Sequence, residues 1–130
     1  MNSASPPEIL TVLVAARNEA QSLPALHPRI AAVLKRLDGV QGRVPYVEDG
    51  STDGTWEVMQ GLARKDATVS LLRLSRNFGK ELALTAGLDQ VDTGAVLILD
   101  ADGQDPPELI PQFVAQWRQG YADAHGLDAT

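Results

Sequence analysis

Residues 9–37 read ILTVLVAARNEAQSLPALHPRIAAVLKRL, and this stretch decides the fold. Residues 9–16 form a continuous apolar run rich in β-branched side chains, the pattern of a strand buried on both faces. From Glu19 onward Leu23, Leu26, Ile30, Val33, Leu34 and Leu37 recur at steps of three and four. That is one face of an amphipathic helix, closing near Asp38 and Gly39. Pro24 falls in the first turn or delays it, and Pro28 implies a kink or a late start. A buried strand leading into a helix is one βα unit.

The same order recurs downstream. Residues 44–47 make a short second strand, which Pro45 demotes to an edge or an irregular entry. The turn cluster EDGSTDGT (48–55) leads into a helix carrying Trp56, Met59, Leu62 and Ala63 on one side. Residues 69–74 are a third strand. Residues 79–91 are a third helix with Leu84, Leu88 and Val91 inward and Ala83 and Ala86 as small contacts. Residues 95–99 are a fourth strand, and residues 106–119 a fourth helix built on Leu109, Ile110, Phe113, Val114 and Trp117. Asp105 fits the N-cap of that helix, Pro106 its first position and Glu108 the third position of a capping box. Strands alternating with helices predict an α/β domain, a mostly parallel sheet with helices on both faces. Residues 1–8 read as a flexible lead-in, 9–121 as the domain and 122–130 as an irregular tail. The segment YADAHGLDAT after Gly120 is no strand, so the sheet is expected to stop at four strands.

Length and charge narrow the function. A chain of 130 residues is one domain or part of one. Seventeen Asp and Glu against eleven Lys and Arg give a formal net charge of −6, which argues against a nucleic-acid footprint. It argues equally against a helix held on anionic lipid by positive charge. No apolar run approaches the ~20 residues of a membrane span. The opening MNSASPPE has neither the basic nor the apolar region of a signal peptide. Without cysteine there are no disulfides, thiolate metal sites or cysteine nucleophiles, which fits a reducing compartment. The expected location is cytoplasmic.

Parallel sheets of this kind bind ligands beyond the carboxyl ends of their strands. The four strands deliver Ala15, Ala16, Arg17, Asn18 and Glu19; Glu48, Asp49, Gly50 and Ser51; 75–80; and 100–105. Polar residues at one strand end are ordinary, but at all four they mark a site. Asp100 and Asp102 leave a strand two residues apart and project to the same side. Two carboxylates converging at a wet rim suit a hard divalent cation, Mg²⁺ or Mn²⁺, that keeps positions open for substrate phosphates. Gln104 can add a carbonyl oxygen. The same aspartates also read as a strand end, Asp100, and a helix start, Asp102 and Asp105. Within 48–54, Gly50 and Gly54 permit positive φ while Ser51, Thr52 or Asp53 can cap the next helix. Capping leaves the pair Glu48 and Asp49 unexplained, and there an acceptor for base or ribose would stand. Glu19 reads either as a first-turn dipole residue or as a second nucleoside acceptor. Arg76, Asn77 and Lys80 form the basic cluster of this rim, suited to a diphosphate or to a phosphorylated second substrate, or else a solvated loop. His27 and His125 stand isolated and carry no role. The chain lacks GxxxxGK[ST], and GxGxxG does not follow strand one, so neither a P-loop nor a dinucleotide site is expected.

The segments VLVAARNEAQSLPAL (12–26), VEDGSTDGTWEVM (47–59), LLRLSRNFGKELALTAGLDQ (71–90) and LILDADGQDPPELIPQFVAQWRQGY (97–121) resemble the family 2, GT-A-fold inverting glycosyltransferases. The closest likeness is to the polyprenyl-phosphate branch, which includes dolichol-phosphate mannose synthase and bactoprenol glucosyl transferase. The resemblance implies a Rossmann-like GT-A nucleotide-sugar-binding domain, truncated after the fourth βα unit. Ala15, Ala16, Arg17 and Glu19 then match the loop cradling the nucleoside, and Val47 and Asp49 the strand end at base and ribose. Asp100 and Asp102 match the DxD, with Asp102 and Gln104 the metal ligands on the diphosphate. Arg76, Asn77 and Lys80 match the stretch near that diphosphate. Glu48 stands where the family usually has a first aspartate. The implied reaction moves a sugar from a nucleoside-diphosphate donor to a polyprenyl-phosphate acceptor, at the cytoplasmic face of the membrane in full-length relatives. The metal, Mg²⁺ or Mn²⁺, would neutralise charge on the departing diphosphate.

Relatives of this kind continue further and bind the acceptor there, so this chain is expected to bind donor while being catalytically incomplete, with no catalytic base identified. The competing reading is a non-catalytic piece stabilised as a homo-oligomer through an unpaired sheet edge. A nucleotidyltransferase would carry a glycine-rich basic loop after strand one, and AARNEA is neither.

Overall fold

The computed structural model describes residues 8–92, 94–102 and 106–120. Its elements are β1 (Glu8–Ala16), α1 (Leu23–Arg36), β2 (Val40–Glu48), α2 (Thr55–Lys65), β3 (Val69–Arg73), α3 (Lys80–Leu88), β4 (Ala95–Asp100), a 3₁₀ turn (Pro107–Leu109) and α4 (Ile110–Arg118). The strands form one parallel sheet in the order β3-β2-β1-β4. The expected βα alternation is therefore present, with β1 central, as its unbroken apolar run requires.

The alternation of side chains along each strand divides the core in two. Leu10, Val12, Val14, Tyr46, Leu97 and Leu99 face α1, α2 and α4 through Leu26, Ile30, Met59 and Phe113. The opposite face presents Leu13 and Val47 to Ala83 of α3, with Val96 and Ile98 packed beside them. Helices thus lie on both faces, three on one and α3 on the other.

Several expectations need correction. Glu8 belongs to β1 rather than to the lead-in, and its carboxylate accepts a hydrogen bond from Arg118 at the end of α4. Residues 1–7 and 121–130, with His125, lie outside the described residues. β2 starts at Val40, four residues before the apolar segment, and is an inner strand rather than an edge. Pro45 is accommodated because the β1–β2 ladder pairs Thr11 with Arg43 and next Val14 with Tyr46. The missing N–H thus falls in a gap of that ladder, while Val44 still donates toward β3 at Thr68.

Helix α3 turns its small residues inward. Ala83 and Gly87 are buried and Leu84 packs half-buried beside them, as a face built on Leu84 and Ala83 requires, but Leu88, expected inward, is exposed. Close approach is the reason: a Cβ on Gly87 would lie 2.6 Å from a Leu13 methyl. Finally, the last helix begins with the turn Pro107–Leu109, and Pro106 is extended (φ −71°, ψ 129°). A residue preceding proline is driven out of the helical region, so Pro106 cannot be the first helical residue. Glu108 takes a bidentate pair from Arg29 at 2.6 and 3.0 Å, fastening the turn to α1. That guanidinium holds the Glu108 carboxyl down at about 2. Asp105 lies outside the described residues.

His27 is not isolated. Buried on α1, its Nδ1 is 2.7 Å from the Tyr46 hydroxyl and its Nε2 2.8 Å from Asp66 Oδ2. An ionised Asp66 accepts only, so Nε2 donates to it and Nδ1 accepts from the Tyr46 hydroxyl. Burial, and after it the Asp66 charge, raises the Tyr46 phenol far above its ordinary range. Partial burial pushes Asp66 upward, but hydrogen bonds from Thr68 and His27 outweigh it and hold its carboxyl below the ordinary value. Stability from a depressed carboxylate is present above its unfolded value, about 4, and lost as pH falls through the folded value. Tyr46→Phe leaves His27 Nδ1 without its donor and is expected to cost about 1–3 kcal/mol. Urea unfolding at neutral pH measures it, and an unchanged midpoint would remove the network from the core's account.

Candidate functional site

All four carboxyl ends open on one rim because the strands are parallel. The chain steps from β1 outward to β2 and β3, then crosses to place β4 on the other side of β1. The direction of winding therefore reverses between β1 and β4, and open α/β sheets bind ligands at such a crevice. A cleft of about 180 Å³ lies there. Of the residues singled out in the sequence, Ala15, Ala16, Arg17, Glu19, Asp49, Lys80, Asp100 and Asp102 line it.

Loop-to-loop hydrogen bonds shape the mouth. Asn18 adopts a positive φ of 57°. Its N–H donates to Ser51 Oγ at 2.9 Å and its Oδ1 accepts from the Thr52 N–H at 2.8 Å. Glu19 N–H donates to Thr55 Oγ1 at 2.8 Å, and Ala20 N–H to Asp53 Oδ2 at 3.3 Å. Gly54 stands at the N-cap position of α2, while Asp53 Oδ1 accepts the Thr55 N–H at 2.9 Å at the helix start and Ser51 and Thr52 join the β2–α2 loop to the β1–α1 loop. Bonds from Thr55 hold the Asp53 carboxyl below its ordinary value. No local pattern reveals the ties between the two loops, because each spans more than thirty residues.

The acidic pair at the end of β2 turns inward. Glu48 is 1% exposed and accepts the Ser51 N–H at 2.5 Å. Asp49 is 3% exposed; its carboxylate accepts from Asn77 Nδ2 at 3.0 Å and from the Phe78 N–H at 2.8 Å. Asn77 also donates to the Asp49 carbonyl at 3.1 Å. Asn77 is thus a brace for the β3–α3 loop. Val47 is not among the residues lining that cleft; it is fully buried against Leu13 and Ala83. Arg76 and Asn77 open onto a separate groove of about 570 Å³ at the ends of β2 and β3, with Glu48, Ser51 and Arg73. Arg76 stacks 4.7 Å over the Phe78 ring and Arg73 4.9 Å over Trp56. Of the basic cluster, Lys80 is the member that reaches the aspartate cleft, and its ammonium pairs with Asp100 Oδ1.

Asp100 and Asp102 share the cleft, as their spacing predicted, Asp102 exposed at its mouth and Asp100 partly covered. Gln104 lies outside the described residues. Among the described residues no three His, Cys, Asp or Glu side chains gather to hold a metal. Two carboxylates beside open space nevertheless fit Mg²⁺ or Mn²⁺, which take one or two carboxylates and complete their shell with water and substrate phosphates.

Relatives of known type bear on the site. The family model for glycosyl transferase family 2 matches residues 11–127. The chain is 38% identical over 117 residues to the undecaprenyl-phosphate 4-deoxy-4-formamido-L-arabinose transferase of Pseudomonas fluorescens, covering 89% of this chain and 34% of that protein. It is 35% identical over 111 residues to the bactoprenol glucosyl transferase of Shigella phage SfV, covering 85% of this chain and 36% of that one. Among solved structures it resembles the mannosyltransferase PcManGT of Pyrobaculum calidifontis in complex with GDP-Man and Mn²⁺. That match has a TM-score of 0.58 and 25% identity, over 76% of this chain and 28% of that one. The chain spans about a third of the length of the curated relatives it matches. No described helix is long and apolar enough to cross a membrane. By the extent of the family match, and with a fold like that of the solved mannosyltransferase, this chain belongs to glycosyl transferase family 2.

Proposed function

We propose that this chain is the donor-binding part of a sugar transferase that takes a nucleoside-diphosphate sugar with a divalent cation and serves a polyprenyl-phosphate acceptor. The observation that carries donor binding is the convergence of Asp100 and Asp102 on the cleft where the sheet reverses direction. The acceptor class rests on the names of the two relatives above. The Mn²⁺ and GDP-Man of the mannosyltransferase support the donor and the metal.

In this reading Asp100 and Asp102 hold the cation, with Gln104 as a third oxygen donor. Arg17 and Glu19, on the β1–α1 loop, border the ribose. Asp49 does not reach the ligand freely, since its carboxylate is occupied by Asn77 and Phe78; it sets the floor on which the nucleoside rests. A nucleotide lying along the rim with its diphosphate at the β4 end directs its base toward the ends of β2 and β3, where Arg76 stands. When bound, the cation supplies Lewis-acid neutralisation of the charge on the leaving diphosphate.

Calorimetry with UDP and with GDP, each with and without Mn²⁺, tests the reading. One of the two nucleotides is expected to bind only with the metal. Asp102→Ala is expected to weaken that binding at least about tenfold, or about 1.4 kcal/mol. Binding that ignores both Mn²⁺ and Asp102→Ala overturns the proposal.

A further inference from the structure

Lys80 occupies a position that helix α3 does not explain. It is the first residue of α3, where a cation opposes the helix dipole, and Glu81 beside it is the residue the dipole favours. Its placement makes sense from the sheet. Asp100 continues the β4 face of Val96 and Ile98, which is the face covered by α3, so its carboxylate emerges at the N-terminus of that helix. There the Lys80 ammonium pairs with Asp100 Oδ1. The Asp100 side chain is 25% exposed and that of Lys80 57% exposed, so the pair lies at the surface of the cleft rather than within the core. The flexible lysine stem keeps the charge mobile once the pair opens.

We propose that Lys80 is the resident counter-ion of Asp100, that a divalent cation displaces it, and that the released ammonium then pairs with the diphosphate. This rests on the donor-binding reading above. An ammonium and a divalent cation on one carboxylate repel each other at contact distance. Bare metal therefore binds against Lys80. A metal arriving with a diphosphate gives Lys80 a new anionic partner in the same cleft, which Lys80 lines together with Asp100 and Asp102. The device couples metal and nucleotide, so that each binds better in the presence of the other.

The test measures Mn²⁺ alone by the electron paramagnetic resonance of free Mn²⁺, and UDP and GDP by calorimetry at saturating Mn²⁺. Lys80→Ala is expected to bind bare Mn²⁺ roughly five- to tenfold tighter and to bind nucleotide more weakly, a coupling in the ordinary range for linked sites. In an Asp100→Asn background the same substitution is expected to raise Mn²⁺ affinity by clearly less than in the parent. The thermal midpoint of Lys80→Ala is expected to equal or exceed that of the parent, since an adverse charge leaves the helix start. If the parent binds nucleotide with Mn²⁺ but Lys80→Ala leaves Mn²⁺ affinity unchanged or lower, the exchange is overturned and donor binding stands. If the parent binds neither nucleotide with Mn²⁺, the donor reading falls and this inference with it.

Discussion

Gly50→Ala is expected to cost about 2–5 kcal/mol and to disorganise the rim of the sheet. Gly50 has a φ of 72°, in the left-handed region that a Cβ penalises by roughly 1–2 kcal/mol. Space is the larger obstacle. A Cβ there would lie 2.2 Å from the Asn77 nitrogen, 2.6 Å from the Arg76 carbonyl carbon and 2.7 Å from the Asn77 Cα. All three are backbone atoms, so no rotamer change relieves the clash; overpacking of that kind costs a further 1–3 kcal/mol or so. The β2–α2 and β3–α3 loops must separate, which carries Asp49 away from Phe78 and draws Lys80 from Asp100. Urea unfolding and the nucleotide titration should therefore fail together. A variant within about 0.5 kcal/mol of the parent, the range of neutral surface changes, would show that the two loops are not held in contact.

Asp49→Ala carries the second large effect, about 2–4 kcal/mol. Its buried carboxylate accepts the Asn77 amide and the Phe78 N–H, and bonds to a charged group are worth about 1.5–3 kcal/mol each. Removing the acceptor strands both donors at the turn into α3. Asp49→Asn is expected to fall between, since one oxygen can still serve Phe78 while the new amide opposes the Asn77 amide. Donor affinity should fall in the same order as stability, parent above Asn above Ala, because Asp49 acts here by placing the loop that ends in Lys80. If Asp49→Ala keeps full stability but loses nucleotide, the residue touches the ligand directly instead.

These two residues show how far a linear reading reaches. The sequence marked 48–54 as a turn with an unexplained acidic pair, and the pair is indeed a key element of the rim. By itself the pair reads as an acceptor for base or ribose; its protein partners Ser51, Asn77 and Phe78, the last two on another loop, are not legible from spacing. Leu88 illustrates the same gap, for it stays exposed while Leu84 packs, half-buried, against the core. A helical leucine stripe normally faces a core, yet α3 packs through Ala83 and Gly87 because the sheet beneath already presents Leu13 and Val47. His27 met Tyr46 and Asp66 only after α1, β2 and the end of α2 were assembled.

Read by itself, the sequence determined the βα order, the parallel sheet and the collection of polar residues, Asp100 and Asp102 among them, at the strand ends. These follow from periodicities of 2 and 3.6 residues, which are local. Tertiary structure alone decided that Pro45 lies in an inner strand, that Asp49 serves Asn77 and Phe78, and that Lys80 rather than Arg76 meets the aspartates. Each of those outcomes depends on which strand lies beside which. That adjacency is set by packing between segments far apart in the chain, and no spacing along it records the result.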